Sequence, residues 1–419
     1  MRDTIFYASK DEKITPQEIA HADLARKLAG ECMVLLENDG VLPLKSRGEI
    51  ALYGNGVRKT IQGGTGSGSV NTRSITNIEK GFEEAGFTVT NKAWLDANDE
   101  HYKKMQEAYQ EWLEEEGKRR NVPPFLVSFD YPFSEPAPYT ISKEEVAGCK
   151  AKIAVYVISR NSGEGKDREY REGDYLFYPE ELDGIRNLIA GGKKLIVVLN
   201  IGGVMQLTEL KKIIGINAIV LMNQLGNLGG NALVDLISGA VTPSGKLADT
   251  WAVEYKDYPS SATFSHNNGN VDEEYYQEGI YVGYRYFDSF GVTPLYPFGY
   301  GLSYTSFDIK TVKVEQKSEF IVVSVKVRNT GDYYTGKEVV QIYLSKPQGQ
   351  MDMPYQELVA FQKTGELRPG EEECIDLEFP LELLAGYDTD SAAYLVEAGD
   401  YIVRVGADSA STQAAGVFA

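Results

Sequence analysis

The sequence predicts an α/β fold class, with a mostly parallel sheet flanked by helices on both sides (an α/β sandwich), followed by an all-β sandwich of immunoglobulin type. Three observations carry this. Up to about residue 250, short β-rich apolar runs alternate with segments whose apolar residues recur at helical spacing. Within that stretch "AKIAVYVISR", "KKLIVVLNIGG" and "INAIVLMNQLG" are nearly continuous apolar runs bounded by glycine or polar residues, the pattern of strands covered on both faces. From about residue 310 the hydrophobic period becomes two and helical patterns stop.

Along the chain, "QEIAHADLARKLAGECMVLLEN" carries apolar residues at helical spacing, and "EIALYGNG" reads as a short buried strand. "TNIEKGFEEAG" returns to helix before "FTVTN", a further strand. At about 98–139 the periodicity changes: "DEHYKKMQEAYQEWLEEEGKRR" is a charged helix, its polar face read as solvated, and the proline-rich "NVPPFLVSFDYPFSEPAPY" follows it. This is an excursion from the sheet rather than a domain, because strand and helix alternation resumes after it. "PEELDGIRNLIAG" and "GGNALVDLISG" supply helices between or after the three apolar strands. The α/β domain so defined covers residues 1–257. Residues 258–307 form an aromatic and Gly-rich connecting segment, too aromatic for a flexible linker and read as packing along a domain surface. Residues 308–419 carry the half-buried strands "FIVVSVKVRNTG", "KEVVQIYLS", "ECIDLEFP" and "GDYIVRVGAD", separated by turn clusters such as "RPGEE", as in a sandwich of about 100 residues.

At 419 residues the chain has room for two or three domains with cores of their own. Its net charge of -19 has the wrong sign for nucleic-acid phosphates or anionic membranes, so neither is expected as a partner and a neutral ligand fits better. The N-terminus has no apolar core of signal-peptide length and no later stretch could span a bilayer, which makes cytoplasmic residence the expectation. Cys32, Cys149 and Cys374 are far apart and odd in number, which argues against a disulfide framework. With three histidines a zinc site has few ligands, so no metal and no cofactor are expected. His266, in "TFSHNNGN", is read as a surface loop residue rather than a ligand.

In an open parallel sheet, ligands bind beyond the carboxyl ends of the strands. Two loops stand at such ends: "GNGVRKTIQGGTGSGSVNTRS" after the Ile50 strand and "RNSGEGKDR" after the Ala154 strand. The glycines of the first would let backbone N–H groups approach an anion. It lacks the Gly-Lys-Ser/Thr ending of a phosphate loop, however, and does not open a helix in the dinucleotide manner. Close-approach glycines with Ser67 and Thr65 as hydroxyl partners would serve a neutral polyol equally well. In the second loop Glu164 stands between two glycines. A loop glutamate is as a rule only solvated, but this one follows a buried strand, has neighbours that permit unusual backbone angles, and precedes Lys166 and Arg168. A glycine-hinged glutamate suits proton donation. Partial burial against a substrate would raise its pKa, and a nearby cation would lower it.

Taken together, "LLENDGVLPL", "GGTGSGSV", "ISRNSGEGKDR", "QLGNLGGNALVDLISGAVTPSGKL", "YQEGIYVGYRYFD" and "PLYPFGYGLSYTSF" resemble the part of glycoside hydrolase family 3 enzymes outside the catalytic barrel, β-glucosidases above all. "VRNTGDYYTGKEVVQIYLS" and "ELVAFQKTGELRPGEE" resemble the fibronectin type III-like domain that accompanies many of them. The resemblance implies that Glu164 reaches into a barrel's active site as general acid/base, protonating the departing glycosidic oxygen and then deprotonating water. That chemistry requires a second carboxylate about 5 to 5.5 Å away. It further implies that Ser67, with Gly68 beside it, lies near the sugar in the first subsite. Lys166 would stand where many relatives place an aromatic ring at the aglycone subsite, which leaves aglycone preference open. The family's nucleophile is an aspartate in a Ser-Asp-Trp-type motif on a (β/α)8 barrel. The three tryptophans here lie in "KAWLD", "QEWLE" and "DTWAV", none after Ser-Asp, and a barrel of roughly 250 residues has no room. The chain's limits resemble those of the subgroup with inverted domain order, in which the barrel follows.

The resulting expectation is part of a retaining, exo-acting β-glucosidase that removes terminal non-reducing β-D-glucosyl residues and is inactive without its barrel. The partners expected are that barrel domain or chain and a β-glucoside or oligosaccharide substrate, with homo-oligomerisation open. The Tyr275–Tyr304 stretch could stack on sugars, but packing between domains is the expectation. Three alternatives stand: a non-catalytic carbohydrate-binding or scaffolding protein, β-xyloside specificity, and a nucleotide-binding α/β protein.

Overall fold

The computed structural model describes residues 11–68, 70–163 and 167–418. Helix α1 (Pro16–Cys32) starts on Thr15, whose hydroxyl accepts from Glu18 N at 3.2 Å while Thr15 N donates to Glu18 Oε2 at 2.8 Å. Two free helix-end donors are thereby satisfied reciprocally. Helical spacing had suggested that the helix continues through "MVLLEN"; instead the chain turns at Cys32 and forms β1 (Val34–Asn38). Met33, Val34, Leu35 and Leu36 are all buried, and four consecutive buried residues suit a strand covered on both faces better than the single apolar stripe of a surface helix.

The elements that follow are β2 (Glu49–Tyr53), α2 (Ile78–Glu84), β3 (Thr88–Val89), α3 (Lys92–Arg120), α4 (Pro124–Asp130), α5 (Lys143–Gly148), β4 (Ile153–Arg160), α6 (Pro179–Ala190), β5 (Lys194–Ile201), α7 (Thr208–Lys211), β6 (Ile216–Leu221) and α8 (Gly229–Ile237). Six strands form one sheet in the order β1-β6-β5-β4-β2-β3, parallel throughout except for β1 against β6. From β2 the chain moves to one edge through β3, and from β4 it moves the other way through β5 and β6. The reversal opens a crevice between the carboxyl ends of β2 and β4, the switch point where such sheets bind ligands. Behind it, α2 and α8 pack backbone to backbone: a Cβ on Gly230 would lie 2.1 Å from Asn77 O. The charged helix α3 starts already at Lys92 and ends at Asn121 in the left-handed region (φ 56°). The proline-rich return after α4 is tied down where Asn55 Nδ2 donates to Pro136 O at 2.8 Å.

The tyrosines of the connecting segment hold the two domains together. Towards the sheet, Tyr296 OH donates to Glu37 Oε1 at 2.5 Å, Tyr300 OH to Leu36 O at 3.1 Å and Tyr304 OH to Leu236 O at 2.8 Å. Towards the β-sandwich, α9 (Tyr284–Phe290) presents Tyr284 OH to Leu358 N at 2.8 Å and Asp288 to Gln356 Nε2 at 2.8 Å. Burial pushes the Asp288 carboxyl up to about 6, with Asp408 adding to the rise and Gln356 opposing it. Because this pKa is raised on folding, the folded chain holds the proton more tightly. Stability therefore falls as pH rises from about 4 to about 6, and the full penalty stands above that range. Asp288→Asn is expected to stabilise the chain by about 1–2 kcal/mol at pH 7.5, discounted for partial exposure, and to change little at pH 4. Melting curves at the two pH values check this; an equal shift at both would contradict it.

The β-sandwich comprises β7 (Phe307–Lys317), β8 (Phe320–Asn329), β9 (Val339–Ser345), β10 (Glu357–Lys363), β11 (Glu372–Pro380), β12 (Gly386–Asp388), β13 (Ala393–Leu395), β14 (Tyr401–Gly406) and β15 (Gln413–Phe418). One antiparallel sheet runs β10-β9-β14-β15, the other β11-β8-β7, and β12 pairs with β13. Val323, Val325, Val340, Ile342, Leu377 and Val403 are among the side chains that close the core between the two sheets.

Candidate active site

The loop leaving β2 begins at Gly54, whose φ of 95° and approach to β4 admit no side chain: a Cβ there would lie 2.1 Å from Val157 O. The backbones of the two switch-point strands thus meet at the floor of the crevice. Further on, the glycine loop forms a single 3-10 turn at Gly66–Gly68. It comes back onto the loop leaving β4: Thr65 pairs with Gly163 in a parallel bridge, and Thr65 N donates to Ser162 O at 3.1 Å. A Cβ on Gly163 would lie 2.1 Å from Thr65 Oγ1, so a side chain there would push the Thr65 hydroxyl aside.

The structure therefore brings together the two loops that the sequence singled out. Glu164 and Lys166 lie outside the described residues, as does the side chain of Ser67. Gly68 is exposed, with open space where a side chain would begin.

The loop leaving β4 is held at both described ends. Arg160 is buried, with Nη1 and Nη2 donating to Glu181 Oε1 and Oε2 at 2.9 and 2.7 Å and Nε donating to Asp174 O at 3.0 Å. Arg168 donates from Nε to Asp174 Oδ1 at 2.6 Å, from Nη2 to Asp174 O at 2.7 Å and from Nη1 to Val204 O at 2.7 Å. The sequence reading treated Arg168 as a cation beside Glu164, but its charge is matched by Asp174.

On the β5 side of this loop lies an open cleft of about 480 Å³, walled by Arg168, Tyr175, Val204, Asp249, Tyr255 and Tyr258. Tyr255 stacks on Tyr170 with ring centroids 4.8 Å apart, and burial raises the pKa of the partly solvent-facing Asp249 carboxyl. Asp249, Tyr255 and Tyr258 escaped sequence reasoning because they lie after α8, where no periodicity flags a site; tyrosine density was the one signal.

The arrangement suits a neutral, hydroxyl-rich ligand better than an anion. The glycine loop's own cations are engaged elsewhere: Arg58 pairs with Glu79 at 2.6 Å, Lys59 with Asp99 at 2.6 Å and Arg73 with Glu18 at 2.8 Å. Among the described residues no group of three or more His, Cys, Asp or Glu could hold a metal ion.

Residues 33–284 match the model of the glycosyl hydrolase family 3 C-terminal domain, and residues 338–409 match that of the fibronectin type III-like domain. The chain is 34% identical to beta-glucosidase A of Butyrivibrio fibrisolvens over 96% of this chain and 51% of that protein. It is 33% identical to the thermostable beta-glucosidase B of Acetivibrio thermocellus, over 97% of this chain and 49% of that one. Among solved structures, beta-glucosidase 3B from Thermotoga neapolitana in complex with alpha-D-glucose superposes with a TM-score of 0.83 at 38% identity, covering 96% of this chain and 54% of that chain. The chain thus spans about half the length of these relatives. With the family model matched over most of its α/β domain, a fibronectin type III-like sandwich behind it and relatives of this identity along almost its whole length, the chain belongs to glycosyl hydrolase family 3.

Proposed function

We propose that this chain is the part of a retaining, exo-acting β-glucosidase that delivers the general acid/base, Glu164, to an active site completed by a (β/α)8 barrel domain or chain. The observation that carries the proposal is the Thr65–Gly163 bridge at the switch point, which sets Ser162 and Gly163, the residues just ahead of Glu164, against the glycine loop. The half of each relative that lies outside the match leaves room for a barrel of roughly 250 residues. In this reading Glu164 protonates the glycosidic oxygen as the aglycone leaves and then takes a proton from the incoming water. A carboxylate of the barrel, about 5 to 5.5 Å away, forms and releases the glycosyl intermediate. Ser67 and Gly68 border the sugar in the first subsite, and Lys166 borders the aglycone. The β-glucosyl specificity is proposed from the names of the relatives.

The test is hydrolysis of an aryl β-glucoside and an aryl β-xyloside by this 419-residue chain, alone and mixed with a separately produced family barrel from the same source. Glucosidase activity confined to the mixture supports the proposal. Silence in the mixture favours a carbohydrate-binding or scaffolding protein, and faster xyloside cleavage reassigns the substrate.

A further inference from the structure

We propose that Asp174 is a positioning residue for the acid/base, acting through Arg168; the inference rests on the assignment of Glu164 above. The start of the loop leaving β4 is fixed by three contacts. Arg160 is locked to Glu181, Asn161 Oδ1 accepts from Gln224 Nε2 at 3.1 Å, and Ser162 O accepts from Thr65 N at 3.1 Å. The far end is fixed by the guanidinium of Arg168, which spans from Asp174 to Val204 O beyond β5. Asp174 serves both ends. Its carbonyl accepts from Arg160 Nε at 3.0 Å and Arg168 Nη2 at 2.7 Å, and its carboxylate accepts from Arg168 Nε at 2.6 Å and Glu169 N at 2.7 Å.

Gly163 and Asp167, on either side of Glu164, follow directly from these contacts. Three residues separate them, and at roughly 3.3–3.6 Å per residue a span of that length limits how far the glutamate can be carried from its two anchors. A misplacement of about 1 Å at a reacting group can lower a rate by about 10²-fold. Ion pairing with Asp174 also keeps the Arg168 fork directed at Val204 O. Asparagine at 174 would keep the carbonyl contacts but offer one side-chain acceptor where the carboxylate offers two, and it would release the Arg168 charge.

The experiment uses Asp174→Asn, Asp174→Glu and Arg168→Lys in the full chain. In the barrel mixture, Asp174→Asn is expected to lower kcat for a phenyl β-glucoside by about 10–100-fold with KM within about twofold. A dinitrophenyl β-glucoside should show a smaller loss in the glycosylation step, and Asp174→Glu should recover part of the phenyl activity. Uniform loss on both substrates, or an effect confined to KM, overturns the proposal. Hydrogen exchange on the chain alone supplies a readout that needs no barrel. Amides at 167–169 should exchange faster in Asp174→Asn and Arg168→Lys while 161–163 and β4 keep their protection, and unchanged exchange at 167–169 also overturns it. A wild-type mixture that hydrolyses nothing removes the enzymatic assignment and leaves the exchange result to decide whether Asp174 holds the loop.

Discussion

Glu164→Gln is expected to lower kcat/KM of the assembled enzyme for a phenyl β-glucoside by about 10²–10⁴-fold, the usual worth of a positioned general acid. The amide matches the carboxyl in size but cannot hand a proton to a departing phenoxide. The loss should therefore track leaving-group basicity: dinitrophenolate leaves unaided, so its glycosylation step should be nearly untouched. Water attack on the glycosyl intermediate then lacks its base and becomes rate-limiting, so the dinitrophenyl substrate should show a burst, a depressed kcat and a lowered KM. Stopped-flow traces with both substrates check this. Equal losses on the two would mean that the residue holds structure or substrate and does not transfer the proton.

The second large effect concerns stability. Glu181→Ala is expected to cost about 3–5 kcal/mol in urea unfolding, because it leaves the guanidinium of Arg160 buried without its counter-charge. The relative exposure of the two side chains is 3% and 6%, so water is poorly placed to replace the lost partner. Glu181 Oε2 also accepts from Tyr178 N at 2.9 Å at the start of α6, and that helix end would lose its cap. Arg160→Met in the same background should restore part of the loss, since removing both charges is far less costly than stranding one. A loss below about 1 kcal/mol for Glu181→Ala would show that the pair is hydrated in solution.

Much of the fold was legible in the sequence. Continuous apolar runs such as Ile153–Arg160 and Lys194–Ile201, eight residues long and rich in β-branched side chains, read as central strands, and the structure places them side by side in parallel register. What the sequence hid follows a physical pattern. β1 merges with the preceding helix in the sequence because the one break residue, Gly30, lies inside α1, and no Gly, Asn or Pro separates Cys32 from the buried Met33–Leu36 run. β7, β10 and β15 escape the sequence because none of them carries a fully buried side chain, whereas the edge strand β11, which was legible, buries Ile375, Leu377 and Phe379 in alternation. At the site, the glycines around Glu164 announced an unusual loop. Its anchors did not show, because Arg168, Asp174 and Val204 are joined by folding rather than by spacing. Tyr255 and Asp249 were invisible for the same reason.

Glu164→Ala in the barrel mixture, assayed with dinitrophenyl β-glucoside and sodium azide, tests the assignment of the acid/base most directly. Azide needs no general base, so it should attack the accumulated glycosyl intermediate, raise turnover severalfold and yield β-glucosyl azide with configuration retained. The wild-type mixture should show neither the acceleration nor the azide product. Failure of azide to accelerate the variant, or formation of the α-azide, would contradict the account in which this chain supplies the acid/base of a retaining enzyme.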